Sequence, residues 1–289
     1  MKFSYFPGCS LRGTGRAYEE SLLPVMKALG VELQEIEDWN CCGATAYMAV
    51  DEVKACVMAS RDLALAEKMG NDEVLTPCSA CYLVLNKAKH YIEDAPEVSE
   101  VVHKSLSTVG LKLTGKVQVR HPLDIIVNKI GLDEVKKRVK RPLTGLKVAP
   151  YYGCQIIRPY CTFDDQADPK TMDRLLEALG ATVVKFPLKT KCCGGSLTGT
   201  LPQVGLRLAY IILKEAKKRQ ADVISTVCSL CLFNLDSYHD KISSRWEPVA
   251  VPTVFFTQLM GLAFGIPEDQ LGLNRNILPF RLKELASAR

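Results

Sequence analysis

Ten of the chain's twelve cysteines fall into two sets of five with the same internal order. The first set is Cys9, then the adjacent pair Cys41 and Cys42, then Cys78 and Cys81 as a CxxC. The second is Cys154, the pair Cys192 and Cys193, and the CxxC of Cys228 and Cys231. Equivalent positions stand 145, 151, 151, 150 and 150 residues apart. The surrounding words repeat too. Tyr5-Phe6-Pro7-Gly8-Cys9 matches Tyr151-Tyr152-Gly153-Cys154, and Asn40-Cys41-Cys42-Gly43 matches Lys191-Cys192-Cys193-Gly194. Thr76-Pro77-Cys78-Ser79 matches Thr226-Val227-Cys228-Ser229. Chance does not reproduce five positions at nearly constant offset. The chain is a duplication with one cysteine site per half.

A chain of 289 residues fits two domains, here 1–144 and 145–289, with Pro142 and Gly145 breaking the pattern between them. A half of that size buries roughly 68–70 % of its unfolded surface, so neither half needs cross-links to fold. Residues 1–8 show no apolar leader, and no apolar run approaches the ~18–20 residues of a membrane span. The expectation is a cytoplasmic protein without a membrane span, in which cysteines bind metal or do redox chemistry rather than form structural disulfides. The net charge of +5 is spread along the chain, and its densest run, Lys136–Arg141, reads as a solvated helix face. No nucleic-acid partner is expected.

Strand and helix patterns alternate, and in the same order in each half. The first half reads as strands at 2–6, 31–36 and 73–76, with helices at 17–29, 51–69 and from Ala80. The second repeats this with strands at 147–152, 182–187 and 222–227 and helices at 170–179 and 203–219. A fourth strand per half fits 116–121 and the apolar run from Val249. Residues 85–115 look like a helical, charged insertion. The implied fold is α/β: two pseudo-symmetric repeats, each a mostly parallel sheet flanked by helices. Every site cysteine then follows a strand, at the carboxyl edge where such sheets bind ligands.

Five thiols exceed the four ligands of structural zinc, although one could be a bystander. A thioredoxin-like reading uses only the CxxC and leaves the other three unexplained. A cubane iron–sulfur cluster takes four cysteines, and its compact CxxCxxC motifs are absent. For both members of a vicinal pair to face one centre, the backbone must leave the extended form, and Gly43 and Gly194-Gly195 give it that freedom.

The paired pattern, with Cys-Cys-Gly in each half, resembles the CCG-domain family, and within it the B subunit of heterodisulfide reductase. Phe6-Pro7-Gly8-Cys9, Tyr151-Tyr152-Gly153-Cys154 and Arg120-His121-Pro122 resemble words of those subunits. Gly43-Ala44 follows the first pair where methanogen subunits commonly carry proline, which resembles the bacterial heterodisulfide reductase-like subunits. The resemblance implies two noncubane [4Fe-4S] clusters, one on Cys9, Cys41, Cys42, Cys78 and Cys81, the other on Cys154, Cys192, Cys193, Cys228 and Cys231. It implies reduction of a small-molecule disulfide, of the coenzyme M–coenzyme B type or analogous. It also implies partners: an iron–sulfur C subunit and a flavin-containing A subunit. Electron transfer without a substrate and structural zinc binding are the alternatives.

His121 follows a strand and is a candidate proton donor, with a hydrogen-bonded turn as its plainer role. Arg12, Arg158 and Lys191 adjoin cysteines and are candidates to hold an anionic substrate. Cys56, mid-helix, and Cys161 have no repeat partner and are set aside. The two sites are expected to face one another across an open cleft.

Overall fold

Phe3 and Tyr5 on one face and Ser4 on the other are all buried, as both faces of a central strand are. In the computed structural model, which describes residues 1–44 and 46–282, this segment is β1 (Lys2–Tyr5). It is followed by β2 (Glu32–Glu35), β3 (Glu73–Leu75) and β4 (Gln118–Arg120). All pair in parallel, in the order β2-β1-β3-β4. The second half builds the same sheet from β5 (Lys147–Tyr151), β6 (Thr182–Val183), β7 (Val223–Thr226) and β8 (Thr253–Phe255), in the order β6-β5-β7-β8. Residues 283–289 of the second repeat lie outside the described residues.

In both sheets the chain leaves the first strand to one side, for the second, and returns on the other side, for the third. The strand order therefore reverses between β1 and β3 and again between β5 and β7. A crevice opens beyond the carboxyl ends at such a reversal. The segments that follow β1, β2 and β3 carry the first cysteine set, and those that follow β5, β6 and β7 carry the second.

Several elements differ from the sequence reading. β2 is an edge strand with Glu32, Gln34 and Glu35 exposed, and it is shorter than its alternation suggested. β6 keeps only two residues of the expected six. The apolar run from Val249 is not one strand. Pro252 interrupts it, β8 holds three residues, and Phe256–Phe264 is a buried helix. The segment 85–115 is helical only in part. The helix Ser79–Asp94 ends at Ala95, which the following proline holds extended, and a second helix runs Pro96–Ser107.

The halves share a core. One continuous apolar cluster joins Phe3, Leu22 and Leu75 of the first to Phe255, Leu259 and Met260 of the second. The helix Arg16–Ala28 is the chief link. Its Tyr18 ring stacks on Phe255 with centroids 4.3 Å apart, and Ser21 shares a hydrogen bond of 2.6 Å with Thr257. Glu20 takes two hydrogen bonds of 2.6 Å from Arg275.

Candidate metal centre

Each set of five thiols is assembled from three separate segments. Cys9 sits in the short turn of helix Gly8–Leu11 after β1. Cys41 and Cys42 lie in the irregular loop after β2, and Cys78 caps the helix Ser79–Asp94, whose first turn holds Cys81. The Sγ atoms of Cys9 and Cys41 are 3.8 Å apart, and those of Cys42 and Cys81 are 3.3 Å apart. Cys41 with Cys42, and Cys78 with Cys81, are also within hydrogen-bonding reach. In the second set Cys193 and Cys231 lie 3.5 Å apart, while Cys154 contacts Cys192 and Cys228 contacts Cys231. All are free thiols. In both sets the vicinal pair's second cysteine and the CxxC are buried, while Cys9 and Cys192 are exposed. A cavity of about 280 Å³ borders the second set and is lined by Cys154, Cys192, Cys193, Cys228, Cys231 and Leu197, among others.

The vicinal pairs turn as the glycines allow. Gly43 and Gly194 have φ of 82° and 89°, left-handed values that let the chain reverse after the second cysteine. The reversal aims amide N–H groups at sulfur: Gly194 and Gly195 donate to Cys192 and Cys193, each at 3.4 Å. Gly43 and Ala44 donate to Cys41 and Cys42 in the same way. Cys78 receives the amides of Ala80 and Cys81 at a helix N-terminus, where the dipole favours negative charge. Gly8 and Gly153 serve close approach. A Cβ would stand 2.7 Å from Cys81 Sγ at the first and 3.0 Å from Cys231 Sγ at the second.

The thiols partition their protons unequally. Hydrogen bonds from Cys41 and Cys81 hold Cys42 down to about 5, and the bond from Cys81 holds Cys78 down to about 6. Cys192 is held down to about 6 by Cys154, with help from the Arg158 charge, and Cys193 is lowered by Cys231. The donors in these bonds, Cys41, Cys81, Cys154 and Cys231, are pushed up in turn. Burial raises Cys9 to about 11. Without a cation, thiols this close cannot all ionise. Five soft sulfur donors, backed by N–H groups that favour thiolate, suit iron or zinc. Among the described residues no three or more His, Cys, Asp or Glu side chains stand as ligands of one ion would. A cluster offers several irons to bind, so its ligands need not share a point. The donor set therefore fits a sulfur-ligated cluster.

Arg12 is paired with carboxylates of the first half. Its guanidinium donates to Glu19 at 2.9 Å and to Glu35 at 2.5 Å, so carboxylates already occupy it. Arg158 donates one bond, of 2.6 Å, to the Thr190 carbonyl, and it meets no carboxylate among the described residues. Lys191 is exposed beside Cys192, also without an ion pair among the described residues. His121 is fully buried and its basicity is pushed down to about 3 by burial, which does not suit a proton donor. Cys56 packs inside the helix Glu52–Lys68 with Ser60 as its neighbour, and Cys161 lies in a loop against Asp164, so neither joins a set.

Some of the site escaped the repeat pattern. Asn234 donates to the carbonyls of Cys193 and Gly195 at 3.3 and 3.1 Å and lies 3.7 Å from Cys193 Sγ. Its first-half equivalent is Val84, so matching repeats cannot find it; its place three residues after Cys231, one helical turn on, is the only signal. The two sets also meet, but not across an open gap at their buried ends. Ser229, inside the second CxxC, donates to Ser10 at 3.0 Å and lies 3.9 Å from Cys78 Sγ, and Ser79 donates to the Val227 carbonyl at 3.3 Å.

Among the described residues no helix is long and apolar enough to cross a membrane. The chain matches the family described as "CCG: Cysteine-rich domain" twice, over residues 3–86 and 148–236. It is 35 % identical over 282 residues to the "8-methylmenaquinol:fumarate reductase membrane anchor subunit" of Wolinella succinogenes, covering 96 % of this chain and 97 % of that one. It is 32 % identical to a heterodisulfide reductase B-like protein of Archaeoglobus profundus, covering 94 % of each. It is 28 % identical to the B subunit of the ferredoxin/F(420)H(2)-dependent CoB-CoM heterodisulfide reductase of Methanosarcina acetivorans, covering 96 % of this chain and 94 % of that one. A solved structure, "Crystal structure of a hypothetical protein from Helicobacter pylori", shares the fold with a TM-score of 0.78 at 14 % identity; this chain covers 52 % of it, about half its length. The protein belongs to the CCG cysteine-rich domain family, carries that domain in both halves, and is a relative of heterodisulfide reductase B and B-like subunits.

Proposed function

We propose that this is the iron–sulfur subunit of a cytoplasmic heterodisulfide reductase-like complex, reducing a disulfide to two thiols at two noncubane [4Fe-4S] clusters held by the ten paired cysteines. The observation that supports it most is the openness of each set. Cys9 and Cys192 are exposed while the CxxC ends are buried. A relay that only passes electrons needs no thiol face open to solvent. Disulfide cleavage consumes two electrons and two protons and yields two thiols; the clusters, when bound, would supply single electrons and metal ions with affinity for sulfur. The chain's own residues do the rest. Backbone N–H groups at Gly43, Ala44, Gly194 and Gly195 favour the thiolate form of the vicinal pairs. Arg158 and Lys191 can hold an anionic group of the substrate beside the second set. Electrons would come from partner subunits of the C and A types, with the disulfide of coenzyme M–coenzyme B type or analogous.

A second reading is an electron-transfer subunit of another oxidoreductase. The similarity to a fumarate reductase subunit favours it, as do the side chains packed between the buried ends of the sets. Iron, zinc and acid-labile sulfide are to be measured on anaerobically purified protein, followed by disulfide-dependent reoxidation of a reduced viologen. Iron with turnover supports the reduction of a disulfide. Iron without turnover of any disulfide tried would favour the second reading, and stoichiometric zinc without iron would overturn both.

A further inference from the structure

Ser79 and Ser229 occupy equivalent places, each directly after the first cysteine of its CxxC. Both are buried, and a serine hydroxyl has one proton to give. Each gives it to the opposite half. Ser79 donates to the Val227 carbonyl at 3.3 Å, directly before Cys228. Ser229 donates to the Ser10 hydroxyl at 3.0 Å, directly after Cys9, and its Oγ lies 3.9 Å from Cys78 Sγ. Three cysteine-bearing segments, at Cys9, Cys78 and Cys228, are thereby tied together across the boundary between the halves. Gly15 makes room for the second tie. A Cβ there would stand 2.7 Å from the Ser229 Cβ and 3.0 Å from the Ser10 carbonyl oxygen, which already accepts the Gly15 amide at 2.8 Å. The φ of Gly15 is −92°, open to any residue, so the position uses the missing side chain and not backbone freedom.

We propose that Ser79 and Ser229 are positioning residues, a reciprocal clasp that holds the two CxxC segments against one another and so sets the distance between the two cysteine centres. Packing alone does not call for them. Alanine would fill nearly the same space, and a buried hydroxyl costs free energy unless it is bonded. The consequence for redox chemistry rests on the reading of the cysteines as cluster ligands, since two electrons drawn from two centres make their separation matter. The clasp itself does not rest on it.

Three variants of the full chain test it: Ser79→Ala, Ser229→Ala and Gly15→Ala. Amide hydrogen exchange of anaerobically purified protein is read by mass spectrometry over residues 9–16, 76–82 and 226–232. Ser79→Ala should speed exchange at 226–232 about fivefold, and Ser229→Ala should do the same at 9–16, because each lost bond frees the half opposite the substitution. Gly15→Ala keeps both hydroxyls but wedges Ser229 away, and should also speed 226–232. Variants that loosen only the half they stand in overturn the proposal. If one alanine variant does not fold, the other decides together with Gly15→Ala. In iron-loaded protein the double variant Ser79→Ala/Ser229→Ala should keep the parent's iron content but alter the magnetic interaction between the two centres by electron paramagnetic resonance. An unaltered interaction overturns the part that concerns distance. Failure of the parent to take up iron would sink the proposed function and leave the exchange result to decide the clasp.

Discussion

Gly8→Ala separates two effects that usually come together. Gly8 has φ of 70°, and a Cβ there would stand 2.7 Å from Cys81 Sγ, against the 3.4–4 Å of ordinary contact. Gly30 has nearly the same backbone, with φ of 73°, but nothing within 4 Å of its would-be Cβ. Gly30→Ala therefore carries only the cost of left-handed backbone, about 1–2 kcal/mol. Gly8→Ala carries the same cost plus overpacking of about 1–3 kcal/mol, because the Cys81 sulfur must retreat by at least several tenths of an ångström within a buried site. Anaerobic thermal unfolding of the metal-free, reduced chain should show a drop of a few degrees for Gly30→Ala and about twice that for Gly8→Ala. Iron should stay at the parent level in Gly30→Ala and fall by about half in Gly8→Ala, as a [4Fe-4S] centre in one half fails to form. Equal iron and equal melting in the two variants would refute the argument that Gly8 exists to let that sulfur approach.

The parent protein should hold about eight irons per chain, four to each set, by elemental analysis after anaerobic purification. Cys42→Ser and Cys193→Ser should each lose about half of the iron, while Cys56→Ser, whose thiol is buried beside Ser60 and joins neither set, should lose none. Arg158→Gln and Lys191→Gln should each raise KM for an anionic disulfide by about tenfold with little change for a neutral one, whereas Arg12→Gln should lower stability instead. Burial pushes the Asp62 carboxyl up to about 8, against the bond donated by the Asn40 amide at 2.9 Å. Its folded pKa thus exceeds the unfolded value of about 3.9, so its stabilising contribution is full below that pH and is lost as pH rises towards 8. Asp62→Asn should flatten the decline in unfolding temperature between pH 4 and 8; an unchanged slope would show that Asp62 is already ionised in the native protein.

The cysteine geometry was legible because duplication supplied an internal control: residues with a partner at constant offset converge, and Cys56 and Cys161, which have none, do not. Strand order was less legible. Alternation marks which segments are strands, but not that β1 lies between β2 and β3, which is set by how the helices cover both faces. The same control that found the two cysteine sets hid what differs between halves. Asn234 faces Val84 in the repeat, and His121 faces Phe255, so matching words passed over both. The ion pairs of Arg12 were illegible for a related reason. Its nearness to Cys9 in sequence says nothing of Glu19 and Glu35, which folding brings to it from a helix and an edge strand.

His121 and Phe255 hold equivalent places, each capping the helical turn after the fourth strand of its sheet, and the difference between them has a consequence for how such a molecule can be built. Two separate copies of one half, associated about a twofold axis, would put identical side chains on both sides of it. Two histidines would bury two polar rings in the shared apolar core, and two phenylalanines would leave the Pro77 carbonyl without the His121 ring that meets it at 3.1 Å. A chain that carries both halves covalently can place an imidazole on one side and an apolar ring on the other. Fusion thus does more than raise the local concentration of one half near the other: it permits a single asymmetric part at the centre of a symmetric frame.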